Sequence, residues 1–168
     1  MLEWVVRGVR AEQSVARALR RLLRARPYFY VVNALPLGRG DIDHIVVGPT
    51  GVFAIETKGY TGKITIADGA LARNGFHPDR DPLRQARRAA VTVCERLQRD
   101  GFLVRRVQPV LCLPYADLDR PQRVRGVLVT RREHLGYLLR HWEGQELDEA
   151  RAARMFIVLQ RHAQPFAA

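Results

Sequence analysis

The N-terminal part of the chain has the apolar spacing of an amphipathic helix. From residue 10 to residue 26 apolar positions recur every three or four residues, and arginines occupy most of the positions between them. Pro27 follows directly and favours the end of a helix there, because proline lacks a backbone N–H. The pattern predicts a helix over 10–26, with the apolar stripe Val15, Ala16, Leu19, Leu22 and Leu23.

The next segment alternates short apolar runs with glycine-containing turns, which is typical of strands joined by hairpins. The pattern predicts strands over 28–35, 42–47, 52–57 and 63–67, and a short one over 70–73. The two middle strands are apolar in both alternation classes. One predicted face carries Ile45, Val47, Val52 and Ala54, and the other carries Ile42, Val46, Phe53 and Ile55. Strands that are apolar on both sides are buried on both sides, so we expect helices over both faces of the sheet.

In the second half of the chain helical and strand patterns follow one another. Asp81-Pro82 predicts the start of a helix that runs to about Gly101, because Asp is a good N-cap and Pro suits the first helical position. Strands are predicted over 104–113 and 126–130, with a polar loop around 117–121, and helices over 133–141 and 148–163. This order predicts an α/β fold with a mixed β-sheet flanked by helices on both faces, in a single domain over 1–168.

Composition limits the class of protein. Hydrophobic residues make up 47% of the chain and charged residues 27%, the balance of an ordinary globular protein. Cys94 and Cys112 fall in a predicted helix and a predicted strand, so we expect reduced core thiols rather than a disulfide. No secretory signal pattern or long apolar run is present, and we therefore expect a cytoplasmic protein without a membrane partner.

The net charge of +11 favours polyanionic partners, although an arginine-rich proteome would produce the same excess. Acidic residues outnumber basic ones only in the segment 41–68, which basic segments flank on both sides. Of the 28 basic residues only Lys58 and Lys63 are lysines. Arginine cannot replace a lysine that must act as a compact point charge, so this distribution singles out Lys58 as a candidate for chemistry.

The glycine turn at 48–51 determines which candidate catalytic residues face each other across the hairpin. The turn at 48–51 centres the hairpin between positions 49 and 50, so Asp43 faces Glu56 and Asp41 faces Lys58. Opposed carboxylates destabilise a sheet unless something compensates their charge. A divalent cation would do so, with Asp43, Glu56 and the carbonyl of Thr57 as ligands. Lys58 would then orient a metal-bound water or stabilise the charge that develops on a phosphate. The alternative is that both acids are solvated strand ends and Lys58 is their counter-ion.

The segment from Asp43 to Lys58 resembles the nuclease-related domain, a branch of the PD-(D/E)XK nuclease superfamily with the restriction-endonuclease-like fold. An Asp, a hairpin with a glycine turn and then Glu-x-Lys form the pattern, and the likeness extends over about 8–100. The resemblance implies a restriction-endonuclease-like mixed β-sheet and a metal-dependent nuclease. It further implies that Glu12 completes the acidic site from the first helix and that Gln85, in Asp81-Pro82-Leu83-Arg84-Gln85, approaches it from the later helix. Asp41 is an additional carboxylate without an assigned role.

Three of these residues have ordinary structural interpretations as well. Glu12 lies on the apolar stripe of its helix, where a metal or a basic partner would compensate it, but it also suits a first-turn acid near the helix dipole. Gln85 could be a solvated neighbour of the arginines around it, which themselves could contact phosphates or simply form a solvated face. His44 should point away from Asp43, so we expect a packed core histidine rather than a catalytic base.

Three functions fit these observations. The favoured one is a Mg²⁺- or Mn²⁺-dependent deoxyribonuclease that acts on DNA. A non-catalytic DNA-binding or regulatory module with the nuclease fold is the second, although the intact Asp, Glu and Lys set argues against it. The third is a protein-interaction domain whose basic charge is incidental. The sequence leaves the preferred DNA structure, the cleavage polarity and the oligomeric state open.

Overall fold

The computed structural model describes residues 2–38 and 40–163. The helices are α1 (Leu2–Ala25), α2 (Pro82–Arg99), α3 (Arg132–Arg140) and α4 (Glu149–Gln160). The strands are β1 (Tyr30–Pro36), β2 (Asp41–Gly48), β3 (Gly51–Thr57), β4 (Gly62–Ala67), β5 (Ala70–Arg73), β6 (Gln108–Cys112), β7 (Ala116–Asp117), β8 (Gln122–Val124) and β9 (Val127–Thr130). Within this described part of the chain, no helix is long and apolar enough to cross a membrane.

A six-stranded mixed sheet forms the centre, in the order β1-β2-β3-β6-β9-β8. Strands β1, β2 and β3 pair antiparallel, whereas β3, β6 and β9 pair parallel. Strand β8 adds an antiparallel edge beside β9. A separate three-stranded sheet has the order β5-β4-β7. Strand β3 therefore has a local antiparallel neighbour on one side and a distant parallel neighbour on the other.

Helices cover both faces of the large sheet, as predicted. Buried residues of α2 and α4, among them Val93 and Met155, pack in one apolar cluster with Ile45 and Ala54. On the other face, Leu19 of α1 and Leu135 of α3 pack in a second cluster, with Val46, Phe53 and Ile55. The α/β class and the mixed sheet are confirmed, and the architecture is compatible with the restriction-endonuclease-like fold.

The first helix begins at Leu2, eight residues before the predicted start. Its first turns carry large apolar side chains in exposed positions, and 80% of Leu2 and 70% of Trp4 are accessible to solvent. The amphipathic pattern identifies only the part of a helix that packs on a core. The predicted start at residue 10 therefore lies directly before the first buried residue, Ala11.

Several strands differ from their predicted bounds. The strand predicted over 104–113 is limited to Gln108–Cys112, although Val104 and Val107 are buried in the apolar cluster between the sheet and α2. The predicted loop around 117–121 lies between two short strands, β7 and β8, which pair with β4 and β9. Strands of two or three residues are too short to show alternation. The two cysteines are free, as expected, with Cys112 buried and Cys94 partly buried.

The pairing of β1 with β2 is interrupted at one position. The register pairs Asn33 with His44 and Leu35 with Ile42, but Ala34 does not pair with Asp43 opposite. Ala34 has a φ of 51°, in the left-handed region that L-residues rarely adopt. Ile42 consequently packs in the same cluster as Ile45, although residues three apart in a regular strand point to opposite faces. The prediction that Ile42 lies on the other face was wrong, because the alternation breaks next to Asp43.

Candidate active site

Asp43 and Glu56 lie at the same end of the β2–β3 hairpin. The observed partners run from Gly48 and Gly51 to His44 and Ile55, the register predicted from the turn. Beyond His44 the backbone ladder ends, and the Thr57 N–H donates a hydrogen bond to Asp43 Oδ2 at 2.7 Å. The Asp43 carboxyl thus accepts the hydrogen bond that a backbone carbonyl would accept in a regular ladder, and it holds β3 close to β2.

Lys58 follows β3 directly and is positioned by β6. Its backbone N–H donates to the carbonyl of Cys112 at 3.1 Å. Its Nζ lies 2.7 Å from Glu56 Oε1. The predicted partner Asp41 is exposed and pairs through its backbone with Pro36 of β1. Asp41 and Lys58 were predicted to face each other, but they are not paired in the β2–β3 ladder, because β3 ends at Thr57.

Glu12 approaches the same end of the sheet from α1. Its side chain is partly buried between Ala11 and Val15, two residues of the buried stripe. Burial raises the pKa of Glu12, and the nearby negative charge of Glu56 raises it further. Lys58 opposes this shift. These interactions bring Glu12 into the same electrostatic environment as the hairpin residues.

Asp43 has the most perturbed carboxyl of this group. Burial, together with the charges of Glu56 and Glu12, raises its pKa to about 8. The Thr57 hydrogen bond and Lys58 act in the opposite direction without cancelling it. The charges of three carboxylates influence one another here and are opposed by a single lysine, so negative charge exceeds positive charge at this point. We call Glu12, Asp43, Glu56 and Lys58 the acidic site.

The donor types of the acidic site suit a hard divalent cation, which takes carboxylate and carbonyl oxygens. Among residues 2–38 and 40–163, however, no three His, Cys, Asp or Glu side chains are already arranged as a set that could hold a metal ion. Glu56 is directed to Lys58 instead. A metal would therefore need side chains to rotate and Asp43 to lose its proton. The chemistry of the residues fits a metal, with Glu56 paired to Lys58 in the structure.

Two further predicted residues carry buried oxygen atoms without hydrogen-bond partners. Thr57 is buried, and its Oγ1 has no partner within the described residues. Gln85 lies partly buried in the first turns of α2, and its Oε1 is also buried without a partner. Buried polar atoms of this kind are uncommon in folded proteins. The proposed roles of the Thr57 carbonyl and of Gln85 remain predictions.

His44 is a core residue, as expected. Its ring is buried and its Nδ1 lies 2.7 Å from Asn33 Oδ1 on the neighbouring strand. Burial lowers the pKa of His44 to about 4, so the ring is neutral at physiological pH. Because Asn33 offers an oxygen, Nδ1 carries the proton and Nε2 is left as an unpaired acceptor. A neutral, buried imidazole of this kind is not placed to act as a general base.

The sequence predicted a glycine-containing turn after Lys58 but not the contacts that this turn makes. Tyr60 is half-buried, and burial raises its pKa while the neighbouring charges of Lys58 and Arg73 lower it. Arg73 lies 5.7 Å from the Tyr60 ring and donates to the carbonyl of Thr61 at 2.8 Å. A Cβ at Gly59 would lie 3.0 Å from the carbonyl of Arg7 in α1. The close approach of Gly59 places the turn against α1, and the Arg73 contacts hold it to β5. No local sequence motif predicts these contacts.

The comparisons with known proteins identify the family of the chain. A model of the nuclease-related domain matches residues 7–114, which include every residue of the acidic site. The match extends past the segment 8–100 in which the sequence resemblance was strongest. No curated protein and no solved structure matches the chain. The family match covers more than half of the sequence, and the chain belongs to the nuclease-related domain family, one of the PD-(D/E)XK-like nucleases.

Proposed function

We propose that the protein is a metal-dependent deoxyribonuclease, which hydrolyses phosphodiester bonds of DNA with Mg²⁺ or Mn²⁺. The observation that carries this proposal is the state of Asp43, a carboxyl whose pKa is raised to about 8 beside Glu56 and Glu12. Such a perturbed group beside a lysine is typical of a functional site. A purely structural acid would gain stability from a cationic partner rather than from further carboxylates.

The residues that would hold the metal are Asp43, Glu56, Glu12 and the carbonyl of Thr57. When bound, the metal supplies a Lewis acid that lowers the pKa of a water molecule and neutralises charge on the phosphate. Asp43 must be deprotonated to act as a ligand, so metal binding releases a proton. The Thr57 hydrogen bond limits how far the Asp43 carboxyl can rotate while it does so.

Lys58 has the role of a local cation at the reacting centre. Its ammonium group lies 2.7 Å from Glu56 and is only partly accessible to solvent. If Glu56 served as a metal ligand, the Lys58 Nζ would be free to donate to the attacking water or to a phosphate oxygen. Gln85, with its unpaired buried Oε1, is the candidate to position that water.

A non-catalytic DNA-binding module is the second candidate. It is favoured by one observation, the ion pair between Lys58 and Glu56, which leaves the acidic site without a preassembled ligand set. In that case Lys58 is a counter-ion, and the fold serves only to bind.

The two candidates differ in a direct experiment. Purified protein would be incubated with linear, nicked, branched and single-stranded DNA, with Mg²⁺, with Mn²⁺ or with a chelator. Cleavage that requires the metal and disappears in Asp43→Asn supports the nuclease. DNA binding without cleavage under any of these conditions supports the binding module instead. Cleavage that persists in Asp43→Asn would place the chemistry elsewhere or in a contaminant.

A further inference from the structure

A groove lies between α1 and α3, on the side of α1 turned away from Glu12. Its volume is about 490 Å³, and α1 contributes Ser14, Arg17 and Arg21 to its lining, while α3 contributes Arg132 and Arg140. Glu133 is the acidic residue of the lining. We call this region the arginine groove. It contains four arginines against one carboxylate, and it lies apart from the acidic site.

The positive charge of the arginine groove is poorly compensated. Glu133 forms ion pairs with Arg131 and Arg132, at 3.3 and 3.4 Å. No carboxylate of the described residues forms an ion pair with Arg17, Arg21 or Arg140. Most surface arginines are simply solvated, but these arginines converge on one concave surface from two helices. A concave site lined by one sign of charge concentrates counter-ions.

One polar atom in the groove wall has no partner among the described residues. The Nε atom of Arg140 is buried without a hydrogen bond, whereas the Nε of the neighbouring Arg131 lies 3.3 Å from Glu133 Oε2. A buried guanidinium N–H that lacks an acceptor is unfavourable. By contrast, Arg132 donates to Ser14 across the two helices, which fixes the groove walls relative to each other. An anion in the groove would provide the acceptors that the protein does not.

The chemistry of the groove selects among anions. Arginine presents a planar fork of donors that matches phosphate oxygens, and successive phosphates of one strand can each be contacted by a separate arginine. Arg17 and Arg21 are one helical turn apart on the same face of α1. Tyr137 borders the groove, is 61% exposed and lies 4.4 Å from the ring of His141. An exposed aromatic beside arginines is common in nucleic-acid sites, where it contacts sugar or base.

We propose that the arginine groove binds the phosphodiester backbone of the nucleic acid beyond the point of cleavage. The proposal rests on the proposed function for the identity of the polymer, and it adds a second contact surface to it. Glu12 and Arg17 are five residues apart on α1, a rise of roughly 7.5 Å, and they lie on different sides of the helix. A strand that reaches the acidic site would therefore have to pass over α1 to enter the groove. The groove sets affinity and position, and it takes no part in bond cleavage.

The test compares two variants with the same loss of charge. Arg17→Gln/Arg21→Gln removes two exposed arginines of the groove, and Arg99→Gln/Arg154→Gln removes two exposed arginines of α2 and α4 on the opposite face. Binding of a labelled DNA duplex is measured by fluorescence anisotropy in chelator, so that no cleavage is needed, over a series of salt concentrations. We expect about a tenfold or greater loss of affinity for the groove variant. Its slope of log affinity against log salt should fall by about 1.8, since each lost phosphate contact contributes about 0.9.

Controls separate this proposal from the proposed function and from misfolding. The control variant should lose less than about threefold in affinity, and Arg17→Lys/Arg21→Lys should retain most of the salt slope because it keeps the charge. Equal losses in the groove and control variants would overturn the groove assignment while leaving the nuclease untouched. An equal loss of binding to polyglutamate would also overturn it, since the groove would then be a general polyanion surface. If wild type binds but never cleaves, the nuclease proposal fails and the groove result still stands.

Discussion

The two sides of α1 differ in the sign of their charge, and on each side that charge is only partly compensated. On the side that faces the sheet, Glu12 joins Asp43 and Glu56, and burial with mutual repulsion raises the pKa of Asp43 to about 8. On the side that faces α3, Arg17 and Arg21 line a groove without carboxylate partners. Negative charge exceeds positive charge in the acidic site, and positive charge exceeds negative charge in the arginine groove. Under the proposed function, a bound metal and a nucleic-acid strand would offset both, because phosphates of one strand would contact the metal at one point and the groove at another.

The largest expected effect separates the acids of the acidic site from a neighbouring acid outside it. Asp43→Asn should reduce metal-dependent cleavage by at least about a hundredfold, because it removes the carboxylate most dependent on a cation. Asp41→Asn is the matched control, since Asp41 is exposed two residues away on the same strand. It should change the rate by less than about threefold. Rates that fall equally in both variants would show that net charge, rather than a defined site, governs activity.

A smaller effect tests whether Lys58 is more than a counter-ion. Lys58→Arg keeps the charge but replaces a compact ammonium with a larger and more directional group. Cleavage should fall by at least about tenfold while DNA affinity in chelator stays within about twofold, because the lost interaction belongs to the transition state. The only other lysine provides the control, and Lys63→Arg, at an exposed position, should behave as wild type. A wild-type cleavage rate in Lys58→Arg would reduce this lysine to a partner of Glu56.

The smallest effect concerns stability. Because the folded-state pKa of Asp43 is raised from 3.8 to about 8, the folded protein binds this proton more tightly than the unfolded chain does. The stabilisation is complete below pH 3.8 and is lost as the pH rises to about 8. We expect the metal-free Tm to fall by a few degrees between pH 5 and pH 9, in excess of the change in Asp43→Asn. Scanning calorimetry of both proteins in chelator gives the difference.

A metal should reverse this loss. Millimolar Mg²⁺ or Mn²⁺ at pH 8 to 9 should raise the Tm of wild type, because a ligand that binds only the folded state stabilises it. The same addition should leave Asp43→Asn nearly unchanged. Parallel curves for wild type and Asp43→Asn in the absence of metal would show that Asp43 titrates normally and would remove the main support for a cation site.

Local patterns predicted the parts of the molecule that local geometry controls. The turn at 48–51 set the register of the hairpin, and the observed pairing of His44 with Ile55 follows it. The middle strands are apolar on both sides, and this predicted helices on both faces of the sheet. An apolar sheet face must be buried by another element, even when the sequence does not show which one. The candidate site residues in the hairpin were identifiable for the same reason.

Features that depend on distant segments were not predictable. The left-handed Ala34, which breaks the alternation and moves Ile42 to the other cluster, has no signal in its sequence. Strand β7 exists only through its pairing with β4. The arginine groove requires Ser14 and Arg132 to meet across more than a hundred residues of chain. An arginine on a helix looks the same in sequence whether it points to solvent or into a groove.

The position of β3 between β2 and β6 has a consequence for the order in which the protein folds. The β2–β3 hairpin closes through a two-residue turn and can form in microseconds, whereas pairing of Thr57 with Cys112 must close a loop of more than fifty residues. Asp43 and Glu56 are therefore brought together early, and the backbone of Lys58, which bonds to Cys112, is fixed late. Pulse-labelling hydrogen exchange should show the hairpin amides protected before the Lys58 amide, and simultaneous protection would contradict this order. A nascent chain would then carry both carboxylates close together for some time before its lysine is in place, and the proposed active site would be complete only when the last parallel strands pair.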